Sequence, residues 1–152
     1  MRSICAELAL GVFSLVLLGA DSPFSGTWKL NLAKSKLPTP APQSLTVVVV
    51  ADDININVSE EGTEENGKPI KESFDAKFDG KDYPITGSTE ADTIAVQRVN
   101  PRTLKTTSKK NGKVVGNNTV VVAPDGKITT VEFSHNEADG KKTMGTAVYD
   151  RQ

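Results

Sequence analysis

The segment Phe24-Ser25-Gly26-Thr27-Trp28-Lys29-Leu30-Asn31 contains the only tryptophan of the chain. Its apolar residues Trp28 and Leu30 alternate with polar neighbours, which is the period-two pattern of a half-buried β-strand. Gly26 lets another backbone approach closely, and the indole supplies a large flat surface that can close one end of a core. The segment therefore predicts a first strand from Gly26 to Asn31, with Trp28 at the end of an all-β core.

The rest of the chain predicts further short strands separated by tight turns. Asn111-Gly112 is a strong hairpin signal. The β-branched run from Ser44 to Val50 is apolar on both faces, which predicts a central strand that is covered on both sides. The other predicted strands are Ile54–Ser59, Lys68–Phe78, Asp92–Val99, Thr103–Lys109, Lys113–Val122, Lys127–His135 and Lys142–Arg151.

These strands follow one another without a long crossover, which indicates a single antiparallel up-and-down meander. Closing such a sheet into a barrel removes its exposed edges. The predicted fold is therefore an all-β barrel of roughly eight to ten strands, formed by residues 21–152 as one domain. A β-sandwich is the alternative, but it usually needs Greek-key connections and longer loops.

The composition argues against nucleic acid as a partner. The 152 residues include 18 Lys and Arg against 19 Asp and Glu, which gives a formal net charge of −1. Domains that bind nucleic acid usually carry a basic face. Aromatic residues make up 5% of the chain, which leaves few side chains for a base-stacking platform.

Residues 1–20 have the features of a secretory signal peptide. Arg2 provides a short positive segment, residues 8–18 form an apolar run, and Gly19-Ala20 offers small side chains for cleavage. An uncleaved membrane anchor is the alternative, but the apolar run is short for a membrane span. We expect cleavage after Ala20, export to the periplasm or the medium, and no stable membrane insertion after cleavage.

No arrangement of reactive residues predicts catalysis or metal binding. Cys5 is the only cysteine and lies in the leader, so the mature chain would have no disulfide or thiolate. His135 is the only histidine, and no Gly-x-Ser-x-Gly elbow accompanies it. Asp52-Asp53 reads as a turn, and the acidic stretch from Glu60 to Gly67 lacks the spacing of a calcium loop and reads as a solvated hairpin end. We therefore predict no catalytic residue, no metal and no cofactor.

Three motifs resemble those of the calycin barrels, which include the lipocalins and the fatty-acid-binding proteins. Gly26-Thr27-Trp28 resembles the Gly-x-Trp of their first strand, and Thr146-Ala147-Val148-Tyr149-Asp150-Arg151 resembles the last strand of fatty-acid-binding proteins. With Asp79-Gly80-Lys81-Asp82-Tyr83-Pro84, these motifs are similar to a group of exported bacterial lipocalin-like proteins over nearly all of residues 24–152. The resemblance implies a small-molecule-binding barrel in which Arg151 packs across Trp28.

The chain departs from fatty-acid-binding proteins at two places. Those proteins cover the barrel mouth with a helical pair after the first strand, whereas residues 31–43 contain three prolines here. They also hold the fatty-acid carboxylate with an arginine two residues before the last-strand tyrosine, and this chain has Ala147 before Tyr149. The resemblance therefore does not extend to a fatty acid as the ligand.

The alternation along the strands assigns a set of side chains to the barrel interior. If Ile54, Ile56 and Val58 face inward, an apolar interior with a few polar groups results, which suits a small hydrophobic ligand. The alternative is a packed structural or interaction barrel, since a small barrel can fill itself with side chains. An enzyme ranks third, because no catalytic constellation is present. The predicted ligand-binding residues are Ile56, Glu72, Phe74, Phe78, Val96, Arg98, Phe133 and Tyr149, with Glu72, Arg98 or Tyr149 fixing the polar end.

Overall fold

The computed structural model describes residues 22–152. The predicted signal peptide, residues 1–20, lies outside the described residues. Within residues 22–152, no helix is long and apolar enough to cross a membrane.

Ten strands account for most of the described chain. Short turns connect them, and a longer loop of residues 31–43 joins the first strand to the second. The strands are β1 (Gly26–Leu30), β2 (Ser44–Ala51), β3 (Asn55–Thr63), β4 (Pro69–Lys77), β5 (Asp79–Thr86), β6 (Thr93–Asn100), β7 (Thr103–Lys110), β8 (Lys113–Val122), β9 (Ile128–Asn136) and β10 (Lys142–Arg151).

Each strand pairs antiparallel with the next along the chain, and β1 also pairs with β10 to close the barrel. Trp28 on β1 lies opposite Val47 on β2 and opposite Arg151 on β10. The predicted all-β meander closing into a barrel is therefore confirmed. Closure gives each of the ten described strands two neighbours, which is the property that favours a barrel over an open sheet, although β4 and β5 pair only at Ser73–Thr86 and Phe74–Ile85.

The barrel has one apolar layer inside and one solvated face outside. The core is built from inward-facing residues such as Ile56, Val58 and Val96, of which Val96 has no exposed surface. The interpretation of β2 as covered on both sides is wrong: Val50 is 64% exposed, because a single-layered barrel leaves the outer face of every strand in water. Ile54 is 61% exposed, since it precedes β3 and lies in the turn instead of the inward face.

One end of the barrel, called here the closed end, is sealed by the segment that precedes β1. Phe24 and Trp28 are each 3% exposed, and the Trp28 Nε1 donates a hydrogen bond to the Phe24 carbonyl oxygen at 2.9 Å. The β2–β3, β4–β5, β6–β7 and β8–β9 turns lie at this end. A satisfied indole N–H and two buried aromatic rings make this a packed floor.

Arg151, the last residue of β10, joins this strand to the segment before β1 at the closed end. Its Nη1 and Nη2 donate to the carbonyl oxygens of Ser25 and Pro23 at 2.6 and 2.9 Å, and its Nε donates to the Gly126 carbonyl oxygen at 2.6 Å. A Cβ on Gly26 would overlap the Arg151 guanidinium. The glycine of the opening motif therefore makes room for the arginine of the closing one.

The opposite end, called here the mouth, carries the β1–β2 loop. Lys36 in this loop forms a two-way backbone bridge with Thr146 on β10, with N–O distances of 2.7 and 2.8 Å. The approach depends on Gly145, where a Cβ would lie 2.7 Å from the Lys36 carbonyl oxygen. The proline-rich segment is thus docked across the mouth, where its Leu37 and Pro42 reach the barrel interior.

Candidate functional site

A cavity of about 450 Å³ occupies the barrel between the packed floor and the mouth. Its volume falls within the range of roughly 300–1,000 Å³ that is typical of small-molecule sites. Apolar side chains form most of its wall. The floor and lower wall include Phe24, Trp28, Ile56, Val96, Leu104 and Val122. The interior is therefore packed at one end and open toward the other.

Two carboxylates face each other on the cavity wall near the mouth. Glu60 on β3 and Glu72 on β4 are direct partners in the strand register. Both lie on the inward face, because Glu60 follows Val58 and Glu72 precedes Phe74 at the two-residue interval of a strand. Directly opposed residues on one face of an antiparallel pair have Cβ atoms about 4.5–5.5 Å apart, so the two carboxyl groups are close neighbours.

The surroundings of these carboxyl groups disfavour their ionised forms. Burial, with a further contribution from the charge of Glu72, raises the pKa of Glu60 from 4.5 to about 7. Burial also raises the pKa of Glu72. A hydrogen bond with Ser88 lowers this pKa, and the charge of Glu90 raises it further. A group with a pKa near 7 changes its charge in the physiological range, so the charge of the site depends on pH and on what occupies it.

Tyr149 and His135 add two further titratable side chains to the cavity wall. Tyr149 lies on β10, and burial together with the charge of Glu60 raises the pKa of its phenol. Its hydroxyl is therefore a hydrogen-bond donor at physiological pH. His135, on β9, continues the inward series of Val131 and Phe133 toward the mouth.

Two hydroxyl groups are buried in the cavity wall without a hydrogen-bond partner among the described residues. Thr106 on β7 is 8% exposed and Thr129 on β9 is 7% exposed, and neither Oγ1 has a partner within residues 22–152. Both residues line the cavity. Buried polar atoms in proteins are almost always satisfied, so these two are positioned to meet a polar atom inside the cavity.

Six of the eight predicted ligand-binding residues lie on the cavity wall, and their role in binding stays a prediction. They are Ile56, Glu72, Phe74, Val96, Phe133 and Tyr149.

The other two predicted residues, Phe78 and Arg98, do not line this cavity. The Arg98 guanidinium lies over the Phe78 ring at 4.1 Å, and its Nη2 donates to the Asp52 carbonyl oxygen at 3.0 Å. The alternation gave these residues the correct face, but they stand beyond the floor, at the closed end. Distance along the barrel axis, which period-two counting does not provide, separates them from the cavity.

Glu60, Glu90 and His135 also line the cavity, and the sequence patterns do not predict them as binding residues. The prediction of a solvated hairpin end at Glu60 is wrong, because β3 continues to Thr63 and carries Glu60 inward. The signal was available, because Ile56, Val58 and Glu60 keep one unbroken alternation. Glu90 lies in the β5–β6 turn, where no periodic pattern exists to place it.

The predicted absence of a metal site remains a prediction. Across residues 22–152, no group of three or more His, Asp or Glu side chains is arranged to hold a metal ion.

Comparison with known proteins finds no matching family model and no matching curated protein. Among solved structures, the chain is similar to EF1p2_mFAP2b bound to DFHBI (12% identity, TM-score 0.49, 86% of this chain and 94% of that chain). It is similar to the redesigned beta barrel mFAP1 bound to DFHBI (14%, TM-score 0.46, 85% and 95%) and to the siderocalin Ex-FABP, described as having dual ligand specificities (11%, TM-score 0.40, 86% and 71%).

These neighbours are lipocalin-like or fatty-acid-binding-protein-like β-barrels. Because every TM-score is below 0.5, the likeness carries no inference about function. The barrel itself is established by the strand pairing of this chain.

Proposed function

We propose that the protein is an exported binding protein that holds a small, largely apolar molecule inside its barrel. The observation that carries this proposal is the cavity of about 450 Å³, with an apolar floor and a few polar groups directed into it. This combination is the usual form of a small-molecule site, in which apolar walls supply affinity and sparse polar groups fix orientation. Export rests on the features of residues 1–20.

A packed structural barrel is the competing interpretation. In such a barrel, interior side chains would meet across the axis and fill the space. Here Val96 and Val122 are fully buried near the floor, whereas Glu60, Glu72 and Tyr149 line open space above it. The packed part of the interior is thus only its lower portion, which favours binding over a purely structural role.

Uptake of a neutral apolar fluorescent probe tests the proposal. The wild type should bind the probe, and Phe74→Trp should weaken binding because Phe74 lines the cavity and the larger ring would narrow it. Lys77→Trp is the matched control, since Lys77 lies on the same strand with its side chain exposed. The proposal fails if the wild type takes up no probe while the cavity-enlarging Phe74→Ala variant does.

An enzyme with acid–base chemistry is the second candidate. Glu60, Glu72 and His135 share one cavity, and a carboxyl with a pKa near 7 is suited to proton transfer. It ranks behind binding because a reaction requires a nucleophile or base aligned with a defined reacting atom, and neighbouring titratable groups alone do not define one. Native mass spectrometry of the protein from its own host distinguishes the two. A bound molecule that remains unaltered on incubation supports binding, and its conversion at a rate that Glu60→Gln abolishes supports catalysis.

A further inference from the structure

The paired carboxylates of the cavity have no cationic partner in the described part of the chain. The ion pairs of residues 22–152 are Lys34–Asp150, Lys71–Glu61, Lys109–Asp82 and Lys110–Asp92. None of them includes Glu60, Glu72 or Glu90, although all three line the cavity. No Lys or Arg within residues 22–152 lines the cavity either, so the interior carries acidic groups without fixed positive charge.

This arrangement is unfavourable in the free protein and can be relieved in two ways. Two opposed and partly buried carboxyl groups are costly to ionise together, so they retain a proton or bind a nearby cation. Of the residues that line the cavity, only His135 can carry a positive charge, and its strand β9 is not a neighbour of β3 or β4. A cation beside the two carboxyl groups must therefore come with a ligand. A ligand with a positive group at the height of Glu60 and Glu72 would supply it while its apolar part fills the space down to Trp28.

A second, independent feature favours a ligand that brings polar atoms into the interior. Thr106 and Thr129 are more than nine-tenths buried, line the cavity and lack a hydrogen-bond partner among the described residues. Thr129 lies opposite Tyr149 in the β9–β10 register, and Thr106 lies opposite Val96 in the β6–β7 register. Polar positions therefore occur on separate strands of the wall, in addition to the carboxylates.

We propose that the cavity selects small apolar molecules that carry a positively charged nitrogen, with Glu60 and Glu72 as the counter-ions, and that it rejects carboxylates of the same size. This inference rests on the proposed function and adds the class of ligand to it. An organic ammonium group donates charge-assisted hydrogen bonds to both carboxylates. A carboxylate ligand would instead add a further negative charge beside Glu60, Glu72 and Glu90.

A matched series of ten-carbon probes tests the selectivity: decylammonium, decanol and decanoate, at about pH 8. Trp28 is the only tryptophan and lines the cavity floor, so its fluorescence reports occupancy directly, with calorimetry as the second measurement. We expect decylammonium to bind roughly tenfold or more tightly than decanol, since hydrogen bonds to charged groups are the stronger class. We expect decanoate to bind more weakly than decanol.

The variants assign the selectivity to the two carboxylates. Glu60→Gln with Glu72→Gln should lower decylammonium affinity by roughly tenfold or more while leaving decanol binding unchanged. Glu61→Gln is the matched control, because Glu61 adjoins Glu60 and its side chain is 72% exposed. Equal binding of all three probes, a preference for decanoate, or a selectivity that survives the double substitution would overturn the inference and leave the proposed function intact. Failure of all three probes to bind would reject both.

Discussion

The guanidinium of Arg151 lies over the indole of Trp28, with its central carbon 4.2 Å from the ring centroid. The two residues are also direct partners in the β1–β10 register. One contact therefore joins the first strand, the last strand and the floor of the cavity. A cation over a tryptophan ring contributes about 0.5–2 kcal/mol. Three hydrogen bonds from the Arg151 guanidinium to backbone carbonyl oxygens fix it in place, so the Trp28–Arg151 pair organises the closed end.

Trp28→Ala should lower the free energy of unfolding by about 3–5 kcal/mol, as expected for removal of a large buried aromatic side chain. The substitution removes the packing against Phe24 and the surface on which Arg151 rests. Denaturant titration followed by circular dichroism measures the change, since the variant has no tryptophan. A loss below about 1 kcal/mol would show that Trp28 is peripheral to the fold.

Gly26→Ala should destabilise the barrel by displacing Arg151, in addition to any backbone strain at its φ of 142°. The two contributions separate in a double-mutant cycle. The cost of Gly26→Ala should be smaller in an Arg151→Ala background, with a coupling of roughly 0.5–3 kcal/mol. Gly67→Ala serves as the control for strain alone, because Gly67 also has a positive φ and a Cβ there would meet no neighbour. Purely additive effects of Gly26→Ala and Arg151→Ala would contradict the structure.

The free energy of unfolding should fall as the pH rises from about 4.5 to about 7, through the titration of Glu60. In this window the unfolded chain has released the Glu60 proton and the folded protein still holds it. Folding therefore takes up a proton, and this uptake becomes less favourable as the pH rises. The slope from one such group reaches at most about 1.4 kcal/mol per pH unit. Glu60→Gln should reduce this dependence to the part that the raised pKa of Glu72 contributes, and it should make the protein more stable than the wild type at pH 8, whereas Glu61→Gln should leave the wild-type slope. The same slope in Glu60→Gln and in the wild type would exclude Glu60 as its source.

Glu72→Gln should lower the pKa of Glu60 from about 7 without returning it to 4.5, because burial is the larger cause of the shift and the Glu72 charge the smaller. Side-chain carboxyl chemical shifts followed by NMR during a pH titration measure both groups. Glu90→Gln is the comparison, since the Glu90 charge raises the pKa of Glu72 and is not among the causes that raise the pKa of Glu60. A Glu60 pKa that does not respond to Glu72→Gln would show that the two carboxyl groups are not neighbours.

The sequence predicts the barrel well because short segments of the chain specify its strands and its turns. The alternation along each strand and the Asn111-Gly112 turn specify strands and hairpins, and the absence of a crossover leaves the meander as the simplest closure. The motifs around Trp28 and Arg151 also predict that β1 and β10 are the strands that close the barrel.

The cavity is harder to predict, because it depends on height along the barrel axis. Phe78 and Arg98 have the expected face but lie past the floor. Glu60 lies on the cavity wall, although the acidic stretch around it predicts a solvated turn. Strand β3 stays paired with β4 through Thr63, and this pairing, not the local composition, decides where Glu60 points. The tilt, length and register of the strands are set by the whole sheet, so the sequence of any one segment does not predict them.

The pairing of β1 with β10 also sets the order in which the molecule can be completed. Arg151 donates a hydrogen bond to the Ser25 carbonyl across a separation of 126 residues, so the seam between β1 and β10 joins segments that are synthesised far apart in time. Until the final strand has emerged, β1 and β9 are each bare along one side, and the floor beneath Trp28 lacks its arginine. A chain shortened by its last ten residues would therefore form an open sheet with two unpaired strand edges that can pair with other chains, and the cavity would have no wall on that side.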